Sequence, residues 1–162
     1  MASALRDIFR HNAWANQRLI AFLTQLPPEQ LEATSDAVYG NLRATMHHVF
    51  DGEVGYWSFF SKQVPSWFQP ESEPVSLPKM AGWAYEMGKL WETTGVDQLD
   101  ADAWVERERS EGRFIRLKTG ILLAQTIHHG NVHREQVSHV LTTLGLDAPD
   151  LSLYAYAREA HA

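Results

Sequence analysis

Four long segments of this chain repeat their apolar residues every three or four positions, and a chain patterned that way has few ways to bury them. In the first, residues 4–26, Leu5, Ile8, Ala15, Leu19, Phe22 and Leu26 form one stripe, widened by Phe9 and Leu23, and Pro27 and Pro28 end it. The second runs from about Asn41 to Lys62, with Leu42, Met46, Val49, Tyr56 and Phe60 on one face. The third, from about Pro78 to Leu99, carries Trp83, Met87, Leu90 and Trp91. The fourth, from about Thr119 to Leu144, closes at Gly145, a residue suited to the left-handed position after a helix. Amphipathic helices of this length cover their stripes by packing on one another. The pattern predicts an all-α fold, a four-helix bundle formed as a single domain over residues 1–162.

The connections are less regular. VPSWFQPESEPVSLP (64–78) holds four prolines and reads as an extended surface loop. Trp67 and Phe68 in it, with Trp83 beyond, serve either ordinary bundle packing or a contact surface or pocket lid. Between the third and fourth helices, AWVERERSEGRFIRLK (103–118) alternates Val105, Arg107 and Arg109 with Glu106 and Glu108 around a Ser-Glu-Gly turn. A short β-hairpin or an irregular helix–loop both fit it. The tail LSLYAYAREAHA is expected to lay its Leu and Tyr residues on the bundle.

Charge and composition remove several functions. The net charge is -6 and the charged residues are interspersed, with no basic stripe of the kind that tracks phosphates, so nucleic acid is not an expected partner. No stretch approaches the roughly 18 apolar residues of a membrane span, and MASALRDIFRHNAW lacks the apolar centre of a signal peptide; a cytoplasmic protein is expected. There is no cysteine, which excludes a disulfide scaffold, a Cys nucleophile and a thiolate metal site. Any thiol chemistry must borrow a thiol from outside.

The chemistry-bearing residues are histidines. Three of the eight fall within IHHGNVHREQ (127–136), inside the fourth helix. At ~100° per residue, His129 shares its face with Leu122, Thr126, His133, Val137, Val140 and Leu144, with Gln136 slightly to the other side. His128 and His139 fall on a neighbouring face. Arg134 also lies off the inward face, where a surface salt bridge or a subunit contact suits it. An inward pair at i, i+4 lets both imidazoles reach one metal ion, or both rings hydrogen-bond inside the core. A third ligand is available in MHHVFDGEVGYW (46–57), but helical phase does not decide between His47 and His48. Glu53 sits on the apolar face of that helix, as a fourth ligand, a partner that orients an imidazole, a general base, or the partner of a core arginine. A di-metal carboxylate bundle would place Glu three residues before His, and no histidine here has that neighbour.

These segments together resemble the DinB/YfiT-like superfamily of metal-binding four-helix bundles, over nearly the whole chain. FRHNAWANQRLIAFLTQLPPEQL (9–31) is similar to the family's opening helix, with His11 at its usual aromatic position. NLRATMHHVFDGEVGYW (41–57) resembles the second helix, and aligning Glu53 and Tyr56-Trp57 with it selects His48 over His47. IHHGNVHREQV (127–137) resembles the family's Asn-His-x-x-x-His-Arg-Gly-Gln block, with His128 in place of Asn and Glu135 in place of Gly. The resemblance implies a site of His48, His129 and His133 holding one divalent ion, commonly zinc or nickel. His11, His47, His139 and His161 are then non-ligands. Some members of the superfamily are transferases that use a low-molecular-weight thiol on a small electrophile. In such a transferase Glu53, the catalytic candidate, or Gln136 would orient ligands or substrate, and Tyr56 or Trp57 would line a small-molecule pocket; in a hydrolase Glu53 would be the base. Water-based hydrolysis and a non-catalytic, stress-related binding role are the alternatives, and a homodimer is expected.

Overall fold

Two of the long helices in this chain start at a short polar side chain that takes over a backbone N–H with no partner inside the helix. In the computed structural model, which describes residues 3–68 and 75–160, Ser3 accepts from the Arg6 N–H at 3.2 Å and opens α1, Ala4–Leu23. A four-residue turn of helix, α2, follows at Pro28–Leu31. Asn41 then accepts from the Ala44 N–H at 2.7 Å and opens α3, Leu42–Ser61. Proline in the first turn starts α4, Leu77–Thr94. The periodic pattern extends it to Leu99, but Gly95 takes a φ of 65° and ends it, and Val96–Gln98 continues as a 3-10 turn.

The alternating segment forms a hairpin, β1 (Trp104–Ser110) antiparallel to β2 (Arg113–Lys118), with Trp104 opposite Lys118 and Glu106 opposite Arg116. Val105, Arg107, Ile115 and Leu117 take the half-buried face, as a period of two requires. The hairpin runs directly into α5, Thr119–Thr143, and the chain ends its described course in α6, Leu153–Ala160.

The four long helices form a ring in which α1 packs on α4 and α5, and α3 packs on the same two. Their shared core includes Leu19, Leu23, Met46, Phe50, Met80, Met87, Trp91 and Leu141, all at most 1% exposed. This is the all-α bundle expected from the stripes. Phe68 and Trp83 belong to that core, their ring centroids 4.8 Å apart, and Trp67 packs against it. These aromatics therefore serve bundle packing. The Pro70 and Pro74 part of the proline-rich loop lies outside the described residues, as does His161.

The tail meets its expectation in part, since Leu151 and Tyr156 pack on the bundle and two other residues do not. Leu153 and Tyr154 are 52% and 84% exposed, because α6 is tied down by its other side. Tyr156 packs on His11 and Trp14, the His11 ring meets the Leu151 carbonyl at 2.7 Å, and Trp14 donates to Glu159 at 3.0 Å. Among the described residues, no helix is long and apolar enough to cross a membrane.

Candidate metal centre

A glycine in α3 decides where an imidazole of α5 can sit. The His129 ring lies so close to Gly52 that a Cβ there would come within 2.4 Å of His129 Cε1. Gly52 is one turn beyond His48, so the gap it leaves brings His129 beside His48, and their Nε2 atoms are 3.2 Å apart. His133, one turn along α5, completes the group: one ligand nitrogen from each of the three rings lies within 4.8 Å of the others. All three rings are partly buried.

The site has a second layer. His133 Nδ1 and Gln136 Oε1 are 2.8 Å apart; the amide oxygen only accepts, so Nδ1 carries the proton and Nε2 keeps its lone pair. Tyr56 stands edge-on to His129 at 5.5 Å, and its hydroxyl accepts from Gln125 at 3.3 Å. Tyr39, from the loop before α3, stacks on His48 with ring centroids 3.8 Å apart and planes 13° apart. Tyr39, Gly52 and Gln125 escape a reading of the sequence. Gly52 carried the only local signal, a poor helix former one turn after a histidine.

The donor set fits a divalent ion. Two imidazole nitrogens bound ~2.0–2.1 Å from one tetrahedral ion lie about 3.4 Å apart, close to the 3.2 Å between His48 and His129. Two of the rings are also held in the protonation state that ligation requires. Burial, and then the neighbouring His133 and His48, push the His129 imidazole down to about 4. Burial, His133 and His47 lower His48 as well. Both are neutral near pH 7, as ligation needs.

That shift fixes a pH dependence for protein stripped of metal. An unfolded histidine takes its proton near pH ~6.5, whereas folded His129 takes it only near 4, so between those values the unfolded chain binds more protons. Stability is therefore present in full above about 6.5 and declines as pH falls toward about 4. The urea midpoint should fall across that window, and fall less in His129→Gln. Equal slopes for the two proteins would contradict this.

The sequence profile of the DinB family matches residues 1–161. The chain belongs to the DinB family. It is also 20% identical, over 158 residues, to "Protein DinB" of Bacillus subtilis (strain 168), with 92% of each chain covered.

The remaining candidates occupy a different part of this DinB-family chain. Glu53 is 4% exposed and accepts from Asn12 at 2.9 Å, Asn16 at 3.1 Å and the Trp91 indole at 2.8 Å. The same two asparagines turn their oxygens to Arg134, which donates to Asn12 at 2.8 Å and Asn16 at 2.7 Å, and to Asn131 at 2.6 Å. Two amides thus bridge the Glu53 carboxyl and the Arg134 guanidinium. Burial pushes the Glu53 carboxyl up, against the pull of Arg134 and the three donors, and lowers Arg134 to about 10.

Arg134 corrects the expectation of a surface residue, since it is 2% exposed. It lies ~140° from His129 around α5, on the side that faces α1. A bundle helix has two neighbours, and a single apolar stripe shows only one of them. Gly130 makes room for the pair: a Cβ there would meet Arg134 Nη1 and Asn12 Oδ1, each at 2.9 Å.

Trp57 turns to α4, donating to Thr94 at 3.0 Å. His47 and His48 are both held inward, toward different helices. His47 is 5% exposed and packs on Trp83 of α4, while His48 meets the α5 histidines.

Proposed function

We propose that this DinB-family protein binds one divalent metal ion, zinc or nickel, through His48, His129 and His133, and uses it to transfer a low-molecular-weight thiol to a small electrophile. The observation that carries the reading is the convergence of three imidazoles, with no fourth histidine or carboxylate in the group among the described residues. A three-ligand set leaves a coordination position for an exogenous molecule. When bound there, a divalent ion supplies Lewis acidity, which lowers the pKa of a coordinated thiol or water and polarises an electrophile. Imidazole ligands suit both zinc and nickel.

The chain's own residues set the geometry. Gln136 accepts from His133 Nδ1, Gly52 seats the His129 ring, and Tyr56, held by Gln125, stands edge-on to His129. The absence of cysteine makes the thiol a co-substrate. Hydrolysis with Glu53 as base is the less supported reading, because that carboxylate already accepts three N–H donors.

Protein purified without a histidine tag should carry about one divalent ion per chain, lost in each of His48→Ala, His129→Ala and His133→Ala. Full occupancy in His129→Ala would sink the ligand assignment. Turnover of an electrophile panel should require added thiol; equal turnover without it would favour water as the nucleophile.

A further inference from the structure

The three rings of the centre are not held in the same way. His133 is fixed by its hydrogen bond to Gln136, and His129 by its seat on Gly52. Among the described residues, His48 makes no hydrogen bond beyond its contact with the His129 ring. A ligating histidine is ordinarily oriented by a partner on its other nitrogen, and here none is present. What His48 has is a ring: Tyr39 lies 3.8 Å from it, with the planes within 13° of parallel.

The lone pair of an imidazole nitrogen lies in the plane of its ring, so any tilt of that ring swings the lone pair away from the point shared with the other two. A nearly parallel aromatic surface resists that tilt. Tyr39 reaches the other ligands as well. Its ring stands edge-on to His133 at 5.7 Å, and its backbone N–H donates at 3.3 Å to Gln136 Oε1, the oxygen that holds His133.

The loop that carries Tyr39 is braced at its base. Glu32 accepts from Asn41 at 2.6 Å and from Arg43 at 2.7 Å, and Thr34 donates to the Gly40 carbonyl at 3.1 Å. Tyr39 is nevertheless 55% exposed, so it contributes little to the core.

We propose that Tyr39 is a positioning residue of the metal centre, which fixes the plane of the His48 imidazole by stacking and steadies the Gln136–His133 pair through its backbone N–H. The inference rests on the metal-binding reading and names a residue outside the ligand set. It makes the loop before α3 one wall of the site, although the ligands come from α3 and α5.

The test uses cobalt(II) as the probe, in the full chain, with wild type, Tyr39→Phe and Tyr39→Ala. Three quantities are read: the d–d absorption of the cobalt-loaded protein, its rate of metal loss to excess chelator, and the melting temperature without metal. Tyr39→Phe keeps the stacked ring and the N–H, and should match wild type in all three. Tyr39→Ala should shift the d–d band and release cobalt about tenfold faster, with little change in metal-free melting temperature. If Tyr39→Ala gives the wild-type spectrum and release rate while wild type binds cobalt, the positioning role is overturned and the metal reading stands. If wild type takes up no cobalt, the metal reading falls and this inference falls with it.

Discussion

Arg134→Ala is expected to lower the stability of the bundle by about 3–5 kcal/mol, a large share of the roughly 5–15 kcal/mol that holds a domain folded. The loss does not come from packing alone. Without the guanidinium, Glu53 remains buried, and the oxygens of Asn12 and Asn16 lose their donor in a site closed to water. Glu53→Gln should also destabilise, but the two changes should not add. With both charges gone, the double variant should be more stable than the sum of the singles predicts, with a coupling of about 0.5–3 kcal/mol. Urea unfolding in the presence of chelator measures all three without interference from metal. An Arg134→Ala loss below about 1 kcal/mol, or strict additivity, would show that the bridged pair carries no such energy.

The second large effect separates site from fold. Gly52→Ala should reduce metal affinity by on the order of 100-fold while leaving the protein folded. The new Cβ would stand 2.4 Å from His129 Cε1, so the ring has to leave its seat. His129 is only partly buried and can swing outward, while alanine is favoured over glycine in a helix by about 1 kcal/mol. The metal-free melting temperature should therefore stay near the wild-type value, and isothermal titration should show the loss of affinity. Wild-type affinity in Gly52→Ala would mean that the ring position seen here is not the one the ion uses.

How far the chain could be read in advance depended on whether a signal was local. The limits of α3 and α5 were legible because apolar spacing, Asn41 and Gly145 all lie in the segments themselves. His129 and His133 were legible together because one turn of helix places them side by side. The end of α4 was missed because Gly95 sits inside an otherwise periodic stretch, where its left-handed φ outweighs the pattern. Arg134 was misplaced because a helical projection shows one neighbour, and α1 approaches from another side. Tyr39 carries no periodic signal at all; only closure of the loop onto α3 brings it against His48. The inward-facing Asn12 and Asn16 look like breaks in the apolar stripe of α1 until Glu53 and Arg134 are seen on either side of them.

The amide-bridged pair has a consequence for alignment. Leucine and methionine contacts are forgiving: a helix slid lengthwise by one turn can find new apolar neighbours at small cost. Donors and acceptors are not interchangeable in that way, and this set draws on α1, α3, α4 and α5 at once through Asn12, Asn16, Glu53, Trp91 and Arg134. Sliding α5 by a turn would carry Arg134 away from the oxygens of Asn12 and Asn16. The network acts as a vernier, accepting a single setting of the helices along their axes. Because Arg134 directly follows His133 in the chain, that setting also fixes the height at which the α5 histidines stand opposite His48.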